Sequence, residues 1–72
     1  MTEHDLARIA KVALRELGAG DVEITVAPEP GVDRWRLTVL GGQQQFSLRI
    51  RAGDGTTAQY VREQIFEQFE RR

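Results

Sequence analysis

The sequence predicts a small α+β domain of α-β-β-β-α order, in which two helices pack on one face of a three-stranded antiparallel sheet with strand order 1-2-3. Apolar residues recur at helical spacing near both ends of the chain, and they alternate with polar residues in three segments between. Glycines or prolines separate these segments. Two striped helices and a sheet with one apolar face bury the most apolar surface when both helices cover that face. The other face of the sheet is then open to solvent.

The first helix is predicted over about residues 3–17. Thr2 and Asp5 are placed as an N-cap pair at the start of this helix, and Gly18 and Gly20 are placed to end it. The apolar stripe of this helix repeats at steps of three and four residues and comprises Leu6, Ile9, Ala10, Ala13, Leu14 and Leu17.

The three strands are predicted from a period of two. The first ends at Pro28, since proline cannot donate to a neighbouring strand, and the third covers about residues 44–51. The inward-facing residues are Val22, Ile24, Val26, Trp35, Leu37, Val39, Phe46, Leu48 and Ile50.

Gly41-Gly42 is predicted to form a two-residue hairpin turn, because glycine accepts the positive φ that such a turn requires. This turn gives the pairs Val39–Gln44, Leu37–Phe46, Arg36–Ser47, Trp35–Leu48 and Arg34–Arg49. A slip of one residue would place apolar side chains opposite polar ones, so the pattern and the turn chemistry agree.

The second helix follows Gly53-Asp54-Gly55 and is capped by Thr56 or Thr57. Its buried stripe is predicted to be Ala58, Val61, Ile65 and Phe69. We expect Phe66 to widen the core, and Tyr60 and Val12 to lie off the centre of their helical stripes.

The chain has 72 residues, so we expect residues 1–72 to form a single domain near the lower size limit for independent folding. A homodimer that covers one more face would add stability.

No cysteine is present, which excludes disulfides, thiolate nucleophiles and cysteine-bound metal. The sequence also lacks the roughly 20 consecutive apolar residues of a bilayer span and the apolar core of a signal peptide. These features predict a cytoplasmic protein with no membrane partner.

The open face of the sheet is predicted to carry one serine and four arginines, Ser47, Arg34, Arg36, Arg49 and Arg51. Arg34 opposite Arg49 is a like-charge pair, which destabilises a sheet unless a counter-charge lies nearby. An acidic partner surface would supply one, because guanidinium groups suit carboxylates. Alternatively these arginines are solvated, their aliphatic parts cover the sheet, and Glu23 and Asp33 partly balance their charge.

A second basic surface is predicted on the solvent side of the first helix, formed by His4, Arg8, Lys11 and Arg15. The net charge of the chain is −1, whereas proteins that neutralise nucleic-acid phosphates usually have a clear surplus of lysine and arginine. Nucleic-acid binding, through this stripe or through the arginine face, is therefore the alternative to protein binding and not the first expectation.

The order and spacing of the elements resemble the double-stranded-RNA-binding domain over nearly the whole chain. In that family RNA is bound by the first helix, by a Gly-Pro-x-His-like loop between the first two strands, and by a lysine cluster that opens the last helix. Here residues 28–33 read Pro-Glu-Pro-Gly-Val-Asp, without histidine, and residues 56–60 read Thr-Thr-Ala-Gln-Tyr, without lysine. Only the stripe on the first helix matches. The resemblance implies the fold and not the duplex-RNA function.

Residue patterns that support catalysis are missing from the sequence. His4 is the only histidine and is predicted in an exposed first helical turn, and Ser47 is the only serine, in mid-strand without a histidine in reach. The second helix aligns three glutamates on its solvent side, Glu63, Glu67 and Glu70. Arg71 follows Glu67 by four residues, which favours an ion-paired, solvated face over a cation site. The sequence therefore predicts no catalytic residue, no metal and no cofactor.

These residues predict a small non-enzymatic interaction domain that binds another macromolecule, a protein before a nucleic acid, through its arginine face. Of 10 basic residues only Lys11 is a lysine, which is typical of a GC-rich genome. Together with the small size, this favours a bacterial or phage accessory or modulator protein.

Overall fold

The computed structural model describes residues 1–42 and 44–71. Its elements in chain order are α1 (Glu3–Glu16), β1 (Glu23–Pro28), β2 (Arg34–Gly41), β3 (Gln44–Arg51) and α2 (Ala58–Arg71). The strands are antiparallel and lie in the order β1-β2-β3. Both helices pack on one face of the sheet, α1 against β1 and α2 against β3, and they contact each other. The predicted α+β fold of α-β-β-β-α order is confirmed.

Helix α1 begins with the predicted cap. The Asp5 N–H donates to Oγ1 of Thr2 at 3.1 Å, and the Thr2 N–H donates to Oδ2 of Asp5 at 3.1 Å. This reciprocal arrangement satisfies two N–H groups that would otherwise lack partners at the start of the helix. At the other end, Gly18 has a φ of +85°, a left-handed conformation that ends the helix.

Helix α2 is capped by Thr57. Oγ1 of Thr57 accepts a hydrogen bond from the Tyr60 N–H at 3.1 Å, whereas Oγ1 of Thr56 accepts from the Gly53 N–H at 2.8 Å and closes the preceding turn. The placement of Ala58 in the buried stripe is wrong. Ala58 is exposed, because it is the first residue of the helix and lies ahead of the turns that pack on the core.

The core lies between the helices and one face of the sheet. Its buried residues are Leu6, Ala10, Ala13, Leu14, Val22, Leu37, Val39, Leu48, Ile50, Ala52, Val61 and Ile65. Phe66 and Phe69 pack against this cluster, as expected. Tyr60 and Val12 remain 49% and 45% exposed.

The alternation along β2 is as predicted. Leu37 and Val39 are fully buried, whereas Arg34 and Arg36 are exposed. Trp35 is half-buried on the inner side, where its Nε1–H donates to the carbonyl of Ala52 at 2.8 Å. The apolar face of the sheet therefore lies under the helices, and the arginine face is open.

The register of the β2–β3 hairpin differs from the prediction by two residues. The observed pairs are Arg34–Arg51, Trp35–Ile50, Arg36–Arg49, Leu37–Leu48, Thr38–Ser47 and Val39–Phe46. This register sets apolar residues opposite apolar ones at all three inward positions, whereas the predicted one placed Val39 opposite Gln44. The inward and outward faces are unchanged, because a shift of two residues preserves the alternation of side chains.

The two glycines of this hairpin have separate roles, so the predicted Gly41-Gly42 turn is wrong. Gly41 pairs with Gln44 inside the sheet, and a Cβ at Gly41 would lie 2.7 Å from Cγ1 of Val22. Gly42 has the positive φ of +57°. Gln43 lies outside the described residues. Glycine is thus favoured at residue 41 by close packing and at residue 42 by the positive φ.

The C-terminal half of the outer edge of β3 is covered by two side chains of α2. The Arg51 N–H donates to Oε1 of Gln64 at 2.8 Å, and Nε2 of Gln64 donates to the Arg51 carbonyl at 2.9 Å. Gln68 makes the same two bonds to Arg49, at 2.9 Å and 2.6 Å. Each amide therefore replaces one residue of a further strand and blocks edge-to-edge pairing there.

In the described ranges 1–42 and 44–71, neither helix has the length and apolar character needed to cross a bilayer.

Candidate binding face

The four arginines lie together on the open face of the sheet, but they pair differently from the prediction. Arg34 is opposite Arg51 and Arg36 is opposite Arg49, so the predicted Arg34–Arg49 pair is wrong. All four are exposed. Two like-charge cross-strand pairs therefore lie side by side. A negative charge at this face would reduce the repulsion within both pairs.

Glu29 supplies part of that negative charge. Its backbone N–H donates to the Arg34 carbonyl at 3.0 Å, which fixes it just beyond the end of β1. Its carboxylate accepts a 2.9 Å hydrogen bond from Nη2 of Arg36 and lies 3.8 Å from Nε of Arg49. Only 15% of the Glu29 side chain is exposed, so solvent screens this cluster less than an ordinary surface ion pair.

Sequence reasoning missed the role of Glu29 and assigned the counter-charge to Glu23 and Asp33. Within residues 1–42 and 44–71 neither of these two acids forms an ion pair. The sequence did indicate that Glu29 lies on the open face, because Glu29 continues the odd-numbered series of Glu23 and Thr25 that faces outward from β1. The reach of its carboxylate to β3 depends on tertiary structure.

Arg34 and Arg51 differ from the other pair because neither forms an ion pair with any residue in the described ranges. They lie where β2 begins and β3 ends, and they line two clefts of about 340 Å³ and 500 Å³. The smaller cleft also contains Trp35, and the larger contains Val32 and Tyr60. Val32 is 85% exposed. Unpaired guanidinium groups and accessible apolar side chains therefore meet at one end of the sheet.

Ser47 is exposed on the same face, opposite Thr38 and next to the Arg36–Arg49 pair. Its hydroxyl lies on the same surface as the arginines and is available as a donor or acceptor. The structure therefore places all five residues of the predicted binding face together.

The second basic surface is exposed, but acidic neighbours oppose part of its charge. Nη2 of Arg8 lies 3.4 Å from the carboxylate of Asp5, and Nη2 of Arg15 lies 3.4 Å from that of Asp21. His4 and Lys11 are exposed beside them. The stripe thus presents less uncompensated charge than its four basic residues imply.

On the acidic side of α2, one glutamate is ion-paired and another accepts a hydrogen bond. The Glu67 carboxylate lies 2.8 Å from Nη2 of Arg71, the pairing that the four-residue spacing predicts, and Glu63 accepts from Gln59 at 3.4 Å. In the part of the chain that the structure describes, no three acidic or histidine side chains are grouped so as to hold a metal ion.

The α-β-β-β-α order and the strand order are those of the double-stranded-RNA-binding fold, as the sequence resemblance implied. Comparison of the chain with family models, with curated proteins and with solved structures finds no significant match.

Proposed function

We propose that this chain is a non-enzymatic binding domain whose open arginine face engages an acidic surface of a partner protein. The observation that carries the proposal is the directly opposed pair Arg34–Arg51, which has no ion-pair partner among residues 1–42 and 44–71. The setting that we propose is the cytoplasm of a bacterium, where the chain acts as a bacterial or phage accessory or modulator protein.

Electrostatics explains why an anionic partner fits this face. Arg34 and Arg51 repel each other across the strands, and a carboxylate between them would turn that repulsion into two attractive contacts. A guanidinium group binds a carboxylate through two coplanar hydrogen bonds, a bidentate geometry. Glu29 already orients Arg36 and Arg49, so less side-chain freedom is lost when they meet a ligand.

The surroundings of the free pair favour a protein over a nucleic acid. Trp35, Val32 and Tyr60 line the two clefts that Arg34 and Arg51 share. An acidic residue flanked by apolar side chains can fill both the charged and the apolar parts of such a site. A phosphate backbone offers charge alone and would leave the apolar parts of both clefts unfilled.

The proposal is tested by fluorescence anisotropy with two labelled probes, a polyglutamate peptide and a duplex RNA, at low salt. The double variant Arg34→Ser/Arg51→Ser is compared with Arg8→Ser/Arg15→Ser, which removes the same charge from α1. We expect the first to bind polyglutamate about tenfold more weakly, from the loss of two contacts of up to about 1 kcal/mol each. The second should bind like the wild type, and far-ultraviolet circular dichroism should be unchanged in both.

Equal losses in the two variants would mean that only net charge matters, and would refute the arginine face as a site. Tighter binding of duplex RNA than of polyglutamate, abolished by Arg8→Ser/Arg15→Ser, would establish the nucleic-acid alternative through the α1 stripe.

A further inference from the structure

The two outer edges of the sheet are not equivalent. The β3 edge is bonded to Gln64 and Gln68, as described above. At the β1 side, Glu29 donates to the Arg34 carbonyl across the β1–β2 register. Since main-chain groups alternate along an antiparallel strand, the N–H and C=O groups of residues 23, 25 and 27 also point toward β2. Those of Ile24 and Val26 point away from the sheet.

The outward main-chain groups of Ile24 and Val26 accept and donate no hydrogen bond within residues 1–42 and 44–71. Both residues are only half-buried. An exposed edge strand of this kind is a template for pairing with another strand.

We infer that β1 pairs antiparallel with β1 of a second copy of this chain, about a two-fold axis at Thr25, so that the two sheets become one. In this register Ile24 of each copy faces Val26 of the other, and each such pair exchanges both main-chain hydrogen bonds. Both residues direct their side chains to the helix-covered face, so apolar surface meets apolar surface across the junction.

Charge complementarity selects this register from its neighbours. With the axis at Thr25, Glu23 of one copy lies beside Ala27 of the other, and Ala27 is paired with Arg36. Because the Ala27 side chain is a single methyl group, the Glu23 carboxylate can reach over it to that guanidinium. Moving the axis to Val26 would instead set Glu23 opposite Glu29, two carboxylates in contact. Moving it to Ile24 would leave Glu23 beside Thr25, without a cation.

The asymmetry of the edges determines the size of the assembly. Each chain has one open edge, at β1, and one edge where α2 bonds the main chain of Arg49 and Arg51, so pairing of the two β1 edges leaves only edges that α2 partly covers. The product is a closed two-fold dimer and not a growing filament. A chain of 72 residues buries a smaller fraction of its surface than a larger domain does, and the added strand contacts compensate for that.

Sedimentation velocity over a range of protein concentrations tests the dimer. We expect the wild type to dimerise reversibly and Thr25→Lys to dimerise about fivefold more weakly, equivalent to about 1 kcal/mol, because it places two lysines face to face on the axis. Glu23→Lys should weaken the dimer as well, since it sets a lysine beside Arg36. The matched control is Gln45→Lys, on the same open face but on β3, which should dimerise like the wild type.

Amide hydrogen exchange measured by nuclear magnetic resonance tests the edge itself. The amides of Ile24 and Val26 should gain protection as the protein concentration rises, while those of Thr25 and Ala27, already bonded to β2, should change little. A wild type that stays monomeric would refute the dimer and leave the edge to a strand of another protein. A dimer that resists both β1 substitutions and leaves Ile24 and Val26 unprotected would refute the β1 edge as its interface.

Discussion

At the scale of single residues, two carboxylates stabilise this fold in different ways. Asp5 closes the capping box of α1 at an exposed position. Glu29 is partly buried and contacts arginines from two different strands. The first stabilises the start of one helix, and the second links two strands of the sheet.

The pKa of Asp5 is lowered from its ordinary value of 3.8, chiefly by the hydrogen bond from the Thr2 backbone N–H, then by the Thr2 side chain, with a smaller contribution from Arg8. Because the folded pKa lies below the unfolded one, ionised Asp5 stabilises the fold above the unfolded pKa, and this contribution is lost as the pH falls through the folded pKa. We expect Thr2→Ala to raise the pKa of Asp5 toward its ordinary value in a carboxyl-detected titration. Thr57→Ala, which removes the cap of α2, should leave that titration unchanged.

Glu29→Gln should lower the free energy of unfolding by about 1 kcal/mol, because it leaves the Arg36–Arg49 repulsion uncompensated. Urea denaturation at high salt should reduce the loss through screening. Glu67→Gln removes an exposed pair on α2 and should cost less than about 0.5 kcal/mol.

The same Glu29→Gln protein should bind polyglutamate more tightly than the wild type. A variant that loses both stability and binding would show that Glu29 only holds the face together.

At the scale of the elements, β3 is held from outside the sheet by hydrogen bonds from two side chains of α2. Gln64 and Gln68 are four residues apart on α2, and they meet Arg51 and Arg49, two residues apart on β3. Four helical residues and two strand residues cover similar lengths, about 6.0 Å and 6.8 Å. Side chains at these spacings can therefore form a ladder between a helix and a strand.

Gln64→Ala/Gln68→Ala should open the β3 edge. We expect faster exchange of the Arg49 and Arg51 amides and a stability loss of about 1 to 2 kcal/mol, since water replaces part of the lost bonding. With both edges open, the chain should also form species larger than a dimer in sedimentation experiments. Gln59→Ala/Glu63→Ala removes an exposed side-chain pair from the same helix and should cause neither change.

At the scale of the whole molecule, stability depends on a small core centred on the middle strand. Leu37 and Val39 are fully buried between both helices and the neighbouring strands. A chain of this length has a free energy of unfolding of about 4 to 11 kcal/mol, so a single cavity in the core removes a large part of it.

Leu37→Ala should lower the free energy of unfolding by about 3 kcal/mol, from lost burial and the cavity that remains. Leu40→Ala makes the same change on the same strand, at a side chain that is 41% exposed, and should cost less than about 1 kcal/mol. Urea denaturation of both variants measures the difference. Equal losses would contradict the inward orientation of the odd-numbered residues of β2.

Several features of the candidate face were predictable because they depend on local chemistry. The period of two along β2 and β3 assigns Arg34, Arg36, Arg49 and Arg51 to the open face whatever the register. The Thr2–Asp5 cap requires only neighbouring residues. The face patterns did not separate the two hairpin registers, since a shift of two residues preserves them. The pairing of Gly41 with Gln44 places Gly41 in the strand and not in the predicted turn.

The sequence alone determined the element order, the inward face of each strand and the clustering of four arginines, because hydrophobic periodicity is a local property of the chain. Tertiary structure alone decided which arginines oppose one another, and that Glu29 contacts Arg36 and Arg49 while Arg34 and Arg51 form no ion pair within residues 1–42 and 44–71. It also decided that α2 covers part of the β3 edge, whereas no side chain in the same residues bonds the β1 edge at Ile24 and Val26. These features depend on distances between segments far apart in the chain, and such distances are fixed only when the core packs.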